Sequence, residues 1–322
     1  MNDITGCGTF AKIEPIDKGW SGDKKYYVEN IKGQKFLLRV SDISEYEIKK
    51  SEFDIMKRIF STGIKMSEPV DFGKCNNGKC VYLLLKWCEG SEAKEILPSL
   101  SLEEQYAYGC EAGKILKRME KIEYHSPSPD WGKNYGNKVA GYISAYRNCH
   151  KKLFGDDMLL SFLDKHSGCL KQRPASLLHA DFQSDNMVIS PMKELYIIDF
   201  QGSGTVDPYY ALTGVMVTAE VSPEFSTGQL HGYFDGDVPD DFWELNAFYT
   251  AAESLNAFAV AVTLGQEEID YANRMMAKTF EWLDNLNRLI PVWYRGFGYD
   301  TGGDAGNGEN GGRQQSGRQF RR

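Results

Sequence analysis

The chain has 322 residues, 42% hydrophobic and 25% charged, enough for one large domain or two lobes around a sizeable core. Its formal net charge of −8 argues against a nucleic-acid partner, which needs clustered Lys and Arg to neutralise phosphates, and suits a cationic small molecule better. Seven cysteines without a CxxC pair exclude a closed disulfide framework; with a start (MNDITGCGTFAKIEPID) that lacks the basic and apolar regions of a signal peptide, they point to reduced thiols in the cytoplasm.

The first patterned stretch is Lys18-Gly19-Trp20-Ser21-Gly22-Asp23-Lys24-Lys25. Two readings stand: backbone N–H groups around Ser21 and Gly22 approach a phosphate, or the glycines merely make a hairpin turn. Strands are expected over 26–29 and 35–40, punctuated by Asn30 and Gly33. EYEIKKSEFDIMKRIF then predicts a helix, with Ser44 as N-cap and Glu47 at capping-box spacing. Helical spacing puts Ile48, Ile55, Met56 and Ile59 on one face together with Glu52, a carboxylate that needs a partner there. Arg39, on the preceding strand, points the same way as Lys35 and Leu37 by the period-two rule. An Arg39–Glu52 ion pair would satisfy both groups and hold a guanidinium near bound phosphate; the other reading is that each reaches out to water.

Cys75 and Cys80 flank Asn76-Asn77-Gly78-Lys79, where Asn-Gly signals a hairpin turn more than a metal site, and a strand follows over 80–85. From residue 92 the pattern turns helical, over 102–121, 138–152, 158–166, 241–264 and 266–289. The apolar run 247–264 is broken by Thr250, Glu253, Ser254 and Asn256, which fits a buried helix and not a membrane span. The organisation is therefore an N-terminal lobe over 1–86, a hinge over 87–91, a helical lobe over 92–299, and a disordered Gly- and Arg-rich tail over 300–322.

One hairpin breaks the helical run. Met187-Val188-Ile189 and Leu195-Tyr196-Ile197-Ile198 are its arms, Ser190 to Glu194 its turn, and His179, Asp181, Asn186 and Asp199 stand at its mouths. Asp181 and Asn186 are five apart, and Asp199 follows the second strand, the spacing of a kinase catalytic loop and metal-binding aspartate. Phosphoryl transfer needs a carboxylate to orient and deprotonate the acceptor hydroxyl, hard oxygen ligands for Mg²⁺, and cations around the phosphates. Asp181 supplies the first and Asn186 with Asp199 the second, while His179, the other catalytic-loop candidate, holds the loop by hydrogen bonds.

At His179-Ala180-Asp181-Phe182-Gln183-Ser184-Asp185-Asn186, Ile198-Asp199-Phe200 and Asp207-Pro208-Tyr209-Tyr210 the sequence resembles the aminoglycoside phosphotransferase and choline kinase-like superfamily, with support from Phe36-Leu37-Leu38-Arg39-Val40 and Lys86-Trp87-Cys88-Glu89-Gly90. The likeness runs from about Tyr26 to Tyr294. It implies an α+β, bilobal, protein-kinase-like fold with a small antiparallel-sheet N-lobe and a larger, mainly helical C-lobe. It also implies ATP, with GTP the alternative nucleotide, and Mg²⁺ as cofactors. By the same resemblance the hinge at Trp87 and Cys88 holds the adenine, Asp181 is the catalytic base, Asn186 and Asp199 are metal ligands, and Glu52 pairs with the phosphate-binding basic residue. This chain departs from the pattern at Arg39 where Lys is common, Ala180 where Gly is usual, Gln183 where His is frequent, Asp185 where Gly is frequent, and Ala211 where an acid is frequent. None of these removes a metal ligand, so the departures predict impaired catalysis at worst.

The expected partner is a small-molecule hydroxyl compound, cationic in the leading reading, with neither nucleic acid nor membrane, and a chain that is monomeric or dimeric. Asp207, Asp235 and Asp237 are the candidate substrate contacts; the loop from His231 to Pro239 either steers a cation through its carboxylates or caps the next helix. An aminoglycoside-like antibiotic is the first acceptor to consider. A metabolic kinase for an amino alcohol or sugar, and a catalytically weak nucleotide-binding regulator, are the alternatives.

Overall fold

The computed structural model describes residues 3–17, 22–124 and 130–296, so Ser21 and the expected tail over 300–322 lie outside the described residues. Five antiparallel strands form the N-terminal sheet: β1 (Phe10–Ile16), β2 (Lys24–Asn30), β3 (Lys35–Asp42), and, after helix α1 (Tyr46–Phe60), β4 (Pro69–Cys75) and β5 (Cys80–Lys86). Their order is β1-β2-β3-β5-β4. The two edge strands escape the sequence pattern because β1 carries Pro15 on a mostly exposed strand and β4 starts at Pro69 and contains Asp71, Gly73 and Lys74, edge-strand chemistry without apolar alternation. Asn76, Asn77 and Gly78 turn the β4–β5 hairpin at positive φ, as the Asn-Gly pair predicts.

Period-two alternation divides β3 between two surroundings. Leu38 and Val40 join Val28, Tyr82 and Leu84 in a small core on the outer face, whereas Leu37 packs toward the main core and Arg39 toward the cleft. Helix α1 covers the inner face through Phe53, Ile55, Met56 and Ile59, all buried with Glu52. Two expectations for α1 need correction. Asp42, at the extended end of β3, and not Ser44, accepts the capping hydrogen bond, from the Ser44 N–H, and a 3₁₀ turn over Ile43–Glu45 leads into the helix. Ile48 is 68% exposed, since Lys49 takes the inward place in that turn and its ammonium lies 2.8 Å from Asp23.

Residues 87–90 lead to β6 (Ser91–Glu92), α2 (Ala93–Ile96), α3 (Leu102–Glu120), α4 (Trp131–Asn148) and α5 (Asp156–His166). Then come β7 (Ser176–Leu178), β8 (Met187–Ile189), β9 (Leu195–Ile197), β10 (Gly204–Val206), α6 (Pro208–Ala211), α7 (Gly214–Thr218), α8 (Pro223–Phe234), α9 (Asp240–Leu264) and α10 (Gln266–Trp282). β8 and β9 form the expected hairpin, Met187 opposite Ile197, with β6 on its other side, and β7 pairs with β10. Helix α4 begins before the predicted residue 138, with Asp130 capping the Lys133 N–H, because Gly132 and Gly136 make its first turns read as breakers. Helix α10 stops at Trp282, short of the predicted residue 289. Helix α9 is long and apolar enough to cross a membrane, yet it packs among α4, α5 and α10 within the helical lobe.

Helix α8 has no counterpart in the sequence reading, which placed a loop from His231; His231 to Phe234 are its last turn. It is buried from Glu224 to Tyr233, so no apolar stripe alternates with a polar face to reveal it. What it packs on is α3, through glycines four apart on both helices. A Cβ on Gly109 or Gly113 would lie 2.1 Å from the carbonyl of Phe225 or Gln229, and one on Gly228 or Gly232 would meet the Tyr106 or Cys110 carbonyl at 2.3 or 2.2 Å. The helices therefore touch backbone to backbone. Gly113→Ala should force them apart and cost about 1–3 kcal/mol of unfolding free energy. Urea denaturation checks this, and an unchanged midpoint would show that the contact is looser than described.

Candidate active site

Strand β7 delivers His179, Ala180 and Asp181 to the centre of the molecule. His179 is fully buried; its Nε2–H donates to the Ile198 carbonyl at 2.9 Å and its Nδ1 accepts the Asp181 backbone N–H at 3.2 Å. Burial pushes its pKa below the ordinary value, so the imidazole is neutral and its ring packs edge-on against Phe200 and Phe182. It thus ties the loop holding Asp181 to the strand end before Asp199. Asn186 completes the loop by donating from Nδ2 to the Asp181 carbonyl at 2.9 Å and to its carboxylate at 2.7 Å. Asp181 opens on the cleft, but its carboxyl lies deep enough for burial to raise its pKa, with the Asn186 hydrogen bond opposing. A carboxyl raised in this way is a better proton acceptor than an ordinary surface aspartate.

Asp199 is held in the left-handed backbone region at φ 55°, which costs a non-glycine residue energy that the surrounding hairpin must supply. Its Oδ1 is buried without a hydrogen-bond partner. Asn186 spends its amide N–H groups on Asp181, leaving its amide oxygen, and Asp199, with a carboxylate oxygen that has no hydrogen-bond partner, lines the same cleft. Hard oxygens of this kind fit a divalent cation that takes its remaining ligands from nucleotide phosphates and water. Consistently, no group of three or more His, Cys, Asp or Glu forms a ready-made metal cage among the described residues.

Above these residues Arg39 is the centre of a buried ionic network. Glu52 accepts from its Nη1 at 2.6 Å, and Asp23 accepts from Nε at 2.8 Å and Nη2 at 2.5 Å. Gln201 Oε1 accepts from Nη2 at 2.9 Å, linking the sheet to the segment after Asp199, and Lys49 reaches Asp23 at 2.8 Å. Two cations and two carboxylates thus neutralise one another. Burial works against every charge here. Glu52 loses that contest and its pKa rises, while Arg39 and Lys49 hold Asp23 below the ordinary carboxylate value. The Arg39–Glu52 pair is the one read from the sequence. Asp23, Lys49 and Gln201 were missed; an aspartate inside Gly22-Asp23-Lys24-Lys25 reads as turn chemistry, and a lysine at the start of an amphipathic helix reads as solvated.

Arg39 and Gln201 of this network line a cleft of about 870 Å³, within the range of small-molecule sites. It brings together Arg39, Asp181, Asn186 and Asp199 with Trp87 and Cys88. The N–H groups of Lys86 and Trp87 are spent on the Glu68 and Lys35 carbonyls, and the Cys88 N–H has no hydrogen bond among the described residues. Asp185, one of the departures from the family pattern, is ion-paired to Lys94 of α2. Gly22 is exposed, next to residues outside the description. The three substrate candidates lie elsewhere. Asp207 is fully buried, takes a fork of hydrogen bonds from Arg173 at 2.7 and 3.0 Å and one from Tyr249 at 2.7 Å, and caps α6. Asp235 ends α8 and pairs with Lys117 at 2.5 Å, and Asp237 is exposed in the turn beyond it. A second cavity, about 1040 Å³ between α4 and α5, contains none of the constellation.

Residues 12–243 match the Phosphotransferase enzyme family. The chain belongs to that family. Its fold is the protein-kinase-like one of small-molecule kinases. An amicoumacin kinase solved with AMP-PNP, Ca²⁺ and "Ami" superposes with a TM-score of 0.61 at 15% identity, covering 86% of this chain and 90% of that one. The GDP complex of aminoglycoside 2'-phosphotransferase-IIIa gives 0.64 at 14% identity, over 89% and 95%. Among curated relatives, acyl-CoA dehydrogenase family member 10 of Mus musculus is 22% identical over 58% of this chain, and an uncharacterised Mycoplasma pneumoniae protein is 24% identical over 64%. The chain spans 18% and 64% of the lengths of these two relatives.

Because Asp23 has a depressed pKa in the fold, the stability it contributes is complete above the unfolded carboxylate value and is lost as pH falls through the folded one. Asp23→Asn should lower the unfolding free energy at pH 7 by about 3 kcal/mol, by breaking a buried pair. It should also flatten the decline of stability below pH ~4. Urea titrations of both proteins at pH 7 and on acidification measure the two effects; parallel acid limbs would show that Asp23 is not held ionised by the network.

Proposed function

We propose that the protein is an ATP- and Mg²⁺-dependent kinase that phosphorylates a hydroxyl group of a small molecule. The observation that carries this reading is the Asp181 carboxyl, open to an interlobe cleft, aimed by Asn186 and sharing that cleft with Asp199, one of whose carboxylate oxygens has no hydrogen-bond partner. Asn186 and Asp199 would hold the cation, which when bound offsets charge on the transferring phosphoryl group. Asp181 orients the acceptor hydroxyl and takes its proton. Asn186 keeps that carboxylate pointed into the cleft, and neutral His179 fixes the loop without competing for the proton. The Cys88 backbone would meet the adenine, with Leu37, Leu85 and Val188 among the apolar walls. The neighbours solved with AMP-PNP or GDP support a nucleoside triphosphate donor and leave GTP as the alternative to ATP.

For the acceptor, we propose a cationic compound. The cleft wall at α2 carries Glu92, Glu95 and Asp185 beside Lys94, which pairs with Glu92 and Asp185, and carboxylates there would steer an amine-bearing compound. On this reading recognition lies on α2 and the catalytic loop rather than on Asp235, whose charge is engaged by Lys117. Aminoglycoside-like compounds are the first class to test, and seven free thiols support a cytoplasmic setting. The test is a coupled ADP-release assay with ATP and Mg²⁺ over aminoglycosides, other antibiotics, choline and hydroxy amino acids. Acceptor-dependent ADP release is expected, with Asp181→Asn lowering kcat by roughly 10²–10⁴ and Asp199→Ala weakening metal-dependent nucleotide binding. Full activity in Asp181→Asn would overturn the assignment of the base.

A further inference from the structure

The buried network leaves a question of charge. Four N–H groups of Arg39 are committed, to Asp23 twice, to Glu52 and to Gln201, and its side chain is 2% exposed. With Lys49 included, Asp23 and Glu52 balance the two cations, and the further contacts are longer, Arg39 Nη1 to Asp199 Oδ1 at 3.8 Å and Lys49 to Glu45 at 3.7 Å. A guanidinium so occupied has little to offer a phosphate.

The cleft contains another cation on the same sheet. Lys25 on β2 is the cross-strand partner of Arg39 on β3, so both side chains leave the same face of the sheet. Both line the cleft. The Lys25 ammonium stands 3.6 Å from Asp199 Oδ2, its one ion-pair partner among the described residues, and the side chain is 14% exposed. Of the other lysines lining the cleft, Lys94 is paired with Asp185, and Lys86 at the hinge lies 3.7 Å from Glu68 with its side chain mostly exposed. We infer that Lys25 of β2, and not Arg39, is the residue that contacts the nucleotide phosphates, with Arg39 serving as the anchor joining β2, β3, α1 and the Asp199 segment. Its reach to the outer oxygen of Asp199 puts a mobile ammonium, a compact point charge on a flexible stem, where phosphate oxygens and the cation must meet. This assignment rests on the nucleotide-binding reading of the cleft.

The experiment is calorimetric binding of ADP and of adenosine in EDTA to the full chain, its Lys25→Met and Lys25→Arg variants, with a thermal melt of each. Lys25→Met should keep the wild-type melting temperature and bind adenosine unchanged, yet lose roughly tenfold or more in ADP affinity, the effect of removing one charge-assisted contact. Lys25→Arg should recover most of that loss, and the ADP affinity of the wild type should fall with added salt more steeply than that of Lys25→Met. Wild-type ADP affinity in Lys25→Met overturns the role of Lys25 alone, as does an equal loss for adenosine and ADP. A wild-type protein that binds neither ligand in EDTA nor with Mg²⁺ added overturns the nucleotide reading and Lys25 with it.

Discussion

The buried guanidinium of Arg39 is the constraint on which the N-terminal lobe and its alignment with the catalytic loop depend. An isolated charge at 1% exposure would be prohibitively costly, and the structure answers with carboxylates from two directions, Asp23 at the entry to β2 and Glu52 on α1. Each carboxylate then belongs to a different element, so satisfying one cation fixes the position of a helix against two strands. Gln201 extends the same argument across the cleft. Its amide oxygen completes the guanidinium, which sets the segment carrying Asp199 against the sheet. Further ties between the lobes are backbone hydrogen bonds, in which Lys65 and Ser67 after α1 grip Ile197 of β9. Polar chemistry positions this cleft, and the apolar core fills in behind it.

On the other side of the cleft the same economy appears in a different form. His179 is too buried to carry a positive charge, and its two ring nitrogens instead span Asp181 and Ile198, one accepting and one donating. The catalytic loop and the strand end before Asp199 are thereby one rigid unit. This explains how Asp199 is kept at φ 55° with a buried oxygen unsatisfied: the hairpin and the imidazole over-determine the backbone around it. The departures of this chain from the common family pattern are absorbed locally. The extra charge of Asp185 is met by Lys94 of α2, and Ala211 is buried in the short helix that Asp207 caps.

The helical lobe is held differently, by close backbone approach. Glycines at two levels on α3 and α8 remove the side chains that would separate the helices, and α8 lies buried along nearly its whole length. Gln229 of that helix donates to the Phe182 carbonyl at 3.1 Å, so the packing reaches the catalytic loop directly. The depth of α8 also accounts for the fate of the acidic stretch at its end. Asp235 terminates the helix in a left-handed conformation and is drawn to Lys117 on α3.

Local patterns, read along the chain, determined much of this. The hairpin, the spacing of His179, Asp181, Asn186 and Asp199, the main amphipathic helices and the Arg39–Glu52 pair all follow from residue order, because each depends on neighbours a few positions apart or on one strand and the next helix. The edge strands β1 and β4 and the buried helix α8 were not legible, since exposed edges and fully buried helices lack the polar–apolar contrast on which periodicity depends. Nor were the partners of the charges. Whether Asp207 faces a substrate or Arg173, whether Asp235 lines a mouth or caps a helix, and which lysine pairs with Asp199 are decided by groups 34, 118 and 174 positions away in the chain. The sequence alone determined which chemistry is present; only the tertiary structure decided which charges are already spent on one another, because Coulomb energy depends on distances through space that residue order does not contain.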